Sequence, residues 1–84
     1  MVRYFFHLHD RSGQTVDQLG RQIADLDEAR SRAIKAARAI IKADVDSGTI
    51  DLTARIEVTD AVGAIVLTLA FGEAVALITG PAAL

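Results

Sequence analysis

Two histidines lie close together near the start of the chain, and they are the only histidines in the sequence. In an extended strand His7 and His9 point to the same face, about 6–7 Å apart, and Asp10 follows directly. Imidazole is a common zinc ligand, but a site needs three or four ligands. A metal role for this pair would therefore require carboxylates or a second subunit. The preferred interpretation is that His7 packs beside Phe5 and that His9 faces solvent, so we predict no metal and no cofactor.

Basic side chains concentrate on one predicted helix, because five of the nine basic residues fall within residues 30–42. Four of them share its outward face: Arg32, Lys35, Arg38 and Lys42. This face is a candidate nucleic-acid-binding surface, whose contacts with phosphates would be weak and strongly dependent on salt. However, Glu28 and Asp46 lie on the same face with the i,i+4 spacing of ordinary surface ion pairs. No aromatic platform is interleaved with these charges. Nucleic-acid binding is therefore the alternative, and a solvated helix face is preferred.

The aspartates form two groups close to predicted turns. Asp10 and Asp17 flank the first turn, and three further aspartates surround Gly48, namely Asp44, Asp46 and Asp51. Neither group has the ligand order of a calcium loop, and turn and cap chemistry accounts for both. A catalytic carboxylate pair needs a desolvated member in a cleft, and one helix on a small sheet is expected to leave little room for a cleft. Since the chain also lacks a phosphate-binding glycine loop, we predict that it is not an enzyme.

The element that must position the basic residues is a helix predicted over Leu26–Ser47. Asp25 and Glu28 have the spacing of a capping box, and Gly48 can end the helix in the left-handed conformation. Apolar residues recur with helical periodicity at Leu26, Ala29, Ala33, Ala37 and Ile40, flanked by Ile34, Ala36, Ile41 and Val45. Because alanines bury little apolar area, the isoleucines should supply much of the packing energy. Truncation of Ile40 to alanine is predicted to cost about 2–5 kcal/mol.

Alternating apolar and polar residues predict four strands around this helix. Residues 2–9 and the short segment 14–18 form one hairpin, and residues 52–59 and 64–71 form a second. Residues 20–25 connect the first hairpin to the helix, residues 73–78 are either a short helix or an extension, and residues 79–84 are expected to fray. The prediction is a single α+β domain over residues 1–84 with the order ββαββ. Its four-stranded, mainly antiparallel sheet carries one helix across one face.

Composition bounds the class of protein. A chain of 84 residues buries only about 60% of its unfolded surface, so dimerisation is a reasonable way to gain burial. The chain has no cysteine, which excludes disulfides and thiolate metal sites. The formal net charge of −2 gives no bulk attraction to nucleic acid or membrane. With neither a signal-peptide pattern nor an apolar run of about 20 residues, a cytoplasmic location is expected.

The C-terminal quarter is nearly free of charge, since Glu73 is the only charged residue from Ala61 to the end. One helix covers only one side of a sheet, so the other side is expected to expose apolar side chains. The candidate interface residues are Phe5, Val66, Val75 and Leu77. We therefore predict a non-catalytic protein-interaction or homodimeric module. Its expected partner is a second copy of itself or another protein, with no membrane partner.

Several segments resemble a known family. These are residues 3–10, residues 17–20 ahead of 25–30, residues 55–60 with Gly63, and residues 66–71 followed by 73–75. Together they resemble small bacterial proteins grouped as domain of unknown function 6894, and the resemblance extends to about Ile78. The chain departs from that pattern where Arg11 and Ser12 separate Asp10 from Gly13. The resemblance implies a compact bacterial module, and it implies no activity or catalytic residue.

Overall fold

The protein is an α+β domain, as predicted, and its computed structural model describes residues 1–76. The predicted interface residue Leu77 and the predicted frayed segment 79–84 lie outside the described residues. The elements, in order, are β1 (Val2–Asp10), β2 (Gly13–Thr15), β3 (Arg21–Ile23), α1 (Leu26–Ser47), β4 (Arg55–Thr59), β5 (Ile65–Ala70) and α2 (Phe71–Ala74). Within the described part of the chain, no helix combines the length and the apolar character needed to span a membrane.

The strands form one antiparallel sheet with the order β2-β1-β4-β5. His7 of β1 lies opposite Glu57 of β4, and Val58 of β4 lies opposite Leu67 of β5. One strand was not predicted. The segment 20–25, which was predicted to be a connector, contains β3, and this strand also pairs with β1. Ile23 at the end of β3 is fully buried, so a short strand brings the chain into the core just before the helix begins.

The helix α1 begins and ends as predicted. The Asp25 carboxylate accepts the backbone N–H of Glu28 at 2.8 Å, and the Glu28 carboxylate accepts the N–H of Ala24 at 3.0 Å. Gly48 has φ +89 and donates its N–H to the carbonyls at the end of the helix. The bond from Glu28 satisfies a backbone N–H that the helix leaves unpaired, and the bond from Ala24 fixes the residue before the N-cap, so both ends are set by local chemistry.

The face of α1 that packs on the sheet is shifted slightly from the predicted stripe. Its buried residues follow a strict i,i+4 row: Ala29, Ala33, Ala37 and Ile41. Ile40 is only half-buried, and Leu26 and Val45 are exposed. The prediction that Ile40 lies at the centre of the packed face is therefore wrong. The row of alanines lets the helix lie close to the sheet, and Ile41 is the last residue of this row. We now expect truncation of Ile41 to alanine, rather than of Ile40, to lower the free energy of unfolding by about 2–5 kcal/mol.

The second hairpin differs from the prediction at both ends. The strand β4 begins at Arg55 because Asp51 accepts the N–H of Thr53 and makes a turn there. A register shift between Val58 and Thr59 puts Ile65 off the core face, and 59% of Ile65 is exposed. At the other end, Phe71 starts α2 and is buried in the core.

Candidate functional site

One edge of the sheet is closed by a loop, which we call the Asp17 loop (residues 16–20). Leu8 lies opposite Thr15 and Tyr4 lies opposite Arg21, so three residues of β1 face five residues of this loop. The two extra residues interrupt the pairing with β1 in the segment that lies between β2 and β3. The outward backbone N–H of β1 in this segment therefore has no strand partner, and a side chain accepts it instead.

Asp17 is that side chain. Its Oδ2 accepts the N–H of Phe6 at 3.1 Å, and its Oδ1 accepts the N–H groups of Leu19 at 3.2 Å and Gly20 at 3.0 Å. Partial burial opposes ionisation of this carboxyl, but the three backbone donors outweigh it, so the pKa of Asp17 lies below its ordinary value of 3.8. An ionised carboxylate thus replaces the missing strand partner along the middle of β1.

Gly20 allows the Asp17 loop to lie against β1. Its φ is +67, and a Cβ at this position would lie 2.8 Å from the Phe5 ring and 2.9 Å from the carbonyl oxygen of Tyr4. Both the left-handed conformation and the close approach exclude a side chain. Phe5 therefore packs on its own chain on the side of the sheet away from α1.

His7 completes the closed edge and is committed to structural hydrogen bonds. The backbone N–H of Asp17 donates to His7 Nδ1 at 3.1 Å, so the neutral ring carries its proton on Nε2. Nε2 then donates to the Oγ1 of buried Thr59 at 3.0 Å. The ring also stacks parallel to Phe5 with centroids 6.4 Å apart. The expectation that His7 packs beside Phe5 is confirmed, and neither ring nitrogen is free for a metal ion.

His9 does not face solvent, so that expectation is wrong. Its Nε2 lies 2.6 Å from Glu57 Oε1, at ion-pair distance but without the geometry of a hydrogen bond. The two side chains are about one-fifth exposed, because Glu57 lies diagonally across on the neighbouring strand. Among residues 1–76, no group of three or more His, Cys, Asp or Glu side chains is arranged to hold a metal ion. The described residues bring no third ligand to His7 and His9.

The basic face of α1 is exposed, but two of its four side chains are engaged elsewhere. Arg32 pairs with Glu28 at 3.1 Å, as the spacing predicts. Arg38 Nε donates to the carbonyl oxygen of Ala74 at 2.7 Å and so ties α2 to the helix. Lys35 and Lys42 are exposed. Among the described residues, Arg32 is therefore the one member of this face that is paired with a carboxylate.

The structure separates the predicted interface residues. Phe5 packs on the Asp17 loop, whereas Val66 and Val75 are partly buried and pack against the core. The expectation that Val66 shares an uncovered face with Phe5 is wrong, because the register shift near Thr59 turns β5 at this point. The interface itself stays a prediction.

The second edge of the sheet is β5, which belongs to the uncharged C-terminal quarter but was not predicted to be an edge strand. Among the described residues, no strand pairs with its outer side. Its six residues contain neither charge nor proline. The N–H of Phe71 donates to the carbonyl of Ala54 at 2.9 Å, so by alternation Leu67 and Leu69 bond to β4, while Thr68 directs its N–H and C=O outward and Ala70 directs its N–H outward. The C=O of Ala70 belongs to the N-cap of α2. The available signal was an uncharged strand at the end of the predicted sheet.

A cleft of about 300 Å³ lies between the first turn, the end of α1 and the loop before β4. This corrects the expectation that there is little room for a cleft. Its floor is apolar, with Leu8, Ile40 and Phe71, and its rim includes Asp10 and Asp51. Hydrogen bonds from Ser12 lower the pKa of Asp10, and the Thr53 hydroxyl, as the largest of several influences, lowers that of Asp51. Both carboxyls are therefore ionised at neutral pH, unlike the raised-pKa group that a general acid requires.

Comparison with known proteins places the chain in a family. The profile described as Domain of unknown function (DUF6894) matches residues 3–72, which contain the described strands, apart from Val2 of β1. No curated protein and no solved structure matches the chain. Because the match spans most of the sequence, the chain belongs to the family of domains of unknown function DUF6894.

Proposed function

We propose that this domain is a non-catalytic protein-interaction module that binds its partner through the outer edge of β5. The observation that carries this proposal is the contrast between an edge strand that is uncharged, and regular from Leu67 to Ala70, and the absence of a pairing strand within residues 1–76. Proteins usually protect such edges with charges, proline, bulges or covering segments. An edge that keeps its outward N–H and C=O groups is suited to accept another strand.

The chemistry of the polar residues supports a non-catalytic role. The carboxyls at the cleft have lowered pKa values, and both ring nitrogens of His7 are used within the fold. Two of the predicted interface residues are consistent with the proposed surface, since Val66 lies on β5 and Val75 follows α2. The partner is a second copy of the chain or another protein. The lack of cysteine is compatible with a bacterial cytoplasm, where we place the protein.

Residue-resolved hydrogen exchange tests the proposal on the full chain at low concentration. We expect the amides of Leu67 and Leu69 to exchange slowly, because they bond to β4, and those of Thr68 and Ala70 to exchange quickly. If all four amides are equally protected when the protein is monomeric, the chain itself already covers the edge. That result would contradict the proposed binding surface.

A further inference from the structure

We infer, on the basis of the proposed function, that the strand received by β5 is the β5 of a second copy of this chain. The two strands pair in antiparallel orientation with Thr68 of one copy opposite Thr68 of the other. The two sheets then become one continuous sheet, with both copies of α1 on the same side.

The length of the overlap favours this register. A two-fold axis perpendicular to the sheet can pass through a hydrogen-bonded or a non-hydrogen-bonded pair of an antiparallel ladder. Thr68 is the residue of β5 that directs both its N–H and its C=O outward, because the C=O of Ala70 begins α2 and the register shift lies at Val66. With Thr68 opposite its own copy, residues 66–70 of each strand overlap. A register centred on Leu69 or Ala70 would run into α2, which begins at Phe71, so the Thr68 register gives the longest overlap.

The charge distribution is compatible with a second copy and disfavours a charged partner strand. An isologous interface brings each side chain close to its own equivalent, so any charge near the axis meets a like charge. The nearest charged residues along the chain are Asp60 and Glu73, and none lies in Ile65–Ala70. Pairing of β5 with its own copy therefore brings no like charges together. A charged partner strand, in contrast, would find no residue of opposite charge on β5.

The side chains near β5 also suit this arrangement. Leu69 is fully buried, but Leu67 is only half-buried although both lie on the side of the sheet that faces α1. In the proposed register Leu67 lies opposite Leu69 of the second copy, which would remove more of its apolar surface from water. On the other side of the sheet two threonines meet at the axis, a pair that antiparallel sheets accept well.

Replacement of Thr68 by proline tests the pairing directly. The Thr68 N–H is not used within the sheet, so Thr68→Pro removes a bond to the second copy and keeps the bonds to β4. We expect light scattering to show a concentration-dependent dimer for the wild type and for the matched control Thr68→Ala. The dimer dissociation constant of Thr68→Pro should be at least about tenfold higher, which is the loss of roughly 1.4 kcal/mol of pairing. Circular dichroism checks that each variant is folded.

A second variant keeps the test independent of proline. Because the chain has no cysteine, Thr68→Cys introduces a single thiol. Opposed residues of a hydrogen-bonded antiparallel pair lie about 5.5 Å apart, within the range that a disulfide spans. Mild oxidation should convert Thr68→Cys to a covalent dimer, while the control Thr53→Cys, at an exposed position outside β5, should remain largely uncrosslinked.

The outcomes separate this inference from the proposed function. A dimer that tolerates Thr68→Pro and does not crosslink through Thr68→Cys would overturn the pairing of β5 with itself. A wild-type monomer at every concentration, with Thr68 and Ala70 amides that exchange freely, would overturn the second copy as partner and leave the interaction module standing. Protection of these amides in the monomer would overturn both, because the edge would be covered by the chain itself.

Discussion

The two edges of this sheet solve the same problem in different ways. At one edge, the ionised carboxylate of Asp17 accepts three backbone N–H groups, and the loop packs under Phe5. At the other edge, no strand among residues 1–76 pairs with the outer side of β5, and the strand has no charged residue. Because an exposed strand edge invites association, we propose that the first edge is closed within the chain and that the second edge binds the partner.

The largest expected effect comes from breaking the closed edge at Gly20. Gly20→Ala should lower the free energy of unfolding by roughly 2–4 kcal/mol, because it adds a steric clash to the cost of a left-handed residue. Gly63→Ala is the matched control, since Gly63 has φ +88 and open space around the added Cβ. Urea denaturation of both variants measures the difference. Equal losses would mean that the contact with Phe5 and Tyr4 does not restrict the loop.

Removing the charge of Asp17 should have the next largest effect. Asp17→Asn replaces one acceptor oxygen by a donor and leaves a backbone N–H of the Asp17 loop or of Phe6 without a partner. The expected loss of stability is about 1–3 kcal/mol, which for a domain of this size lowers the melting temperature by several degrees. Asp27→Asn, an exposed change on the first turn of α1, serves as the control in thermal denaturation. Equal melting temperatures for the two variants would contradict the role given to Asp17.

Acid should act on the same residue in a defined direction. Because the pKa of Asp17 is lower in the folded state than its ordinary value of 3.8, the folded protein binds fewer protons than the unfolded chain. Its stabilising contribution is present above that value and is lost as the pH falls through the folded pKa. Stability profiles of the wild type and Asp17→Asn should therefore converge below about pH 4. A constant difference down to strong acid would show that Asp17 is not ionised in the fold.

The open edge should tolerate a change that the closed edge does not. Thr68→Lys places a charge on an exposed residue of β5, so the stability of the monomer should change by less than about 0.5 kcal/mol. Association should nevertheless weaken, because two lysines would meet at the proposed axis. Sedimentation at several concentrations measures this, with denaturation of dilute protein as the control. A strong loss of monomer stability would mean that Thr68 already packs within its own chain.

The smallest effect is expected on the basic face of α1. We predict that purified protein retains no nucleic acid, because Arg32 and Arg38 are engaged in local contacts. With one tyrosine and no tryptophan, the protein absorbs weakly in the near ultraviolet, so bound nucleic acid would dominate its spectrum. Binding that decreases with added salt and disappears in Lys35→Glu with Lys42→Glu would favour the nucleic-acid alternative instead.

Much of the fold could be predicted because its signals are local. The ends of α1 are set by residues close to them in the sequence, namely Asp25 and Glu28 at the start and Gly48 at the end. The alternation of apolar and polar residues predicts β1 and β4. The strand β3 could not be predicted, since three residues at Arg21–Ile23 carry no pattern and form only because β1 is there to pair with them.

The candidate site was less predictable because it depends on contacts between distant residues. Asp17 makes the local turn bonds that were expected, to the N–H groups of Leu19 and Gly20, but it also accepts the N–H of Phe6 on β1, which the sequence does not reveal. His9 was expected to face solvent, but it lies beside Glu57, which belongs to a strand almost fifty residues later in the sequence. The edge position of β5 follows from the order of the strands in the sheet, and the order of the strands along the sequence does not reveal it. Sequence patterns therefore located the uncharged segment without showing that its backbone is available.

Hydrogen exchange at residue resolution, measured at low and high protein concentration, tests the contrast between the two edges most directly. We expect the Phe6 amide to be protected at both concentrations, because Asp17 accepts it within the chain. The Thr68 and Ala70 amides should exchange quickly in dilute protein and become protected as the protein associates. Thr68 and Ala70 amides that are as protected as Phe6 in dilute protein, or that remain unprotected at the highest concentration, would contradict the assignment of β5 as the edge that pairs with a second copy.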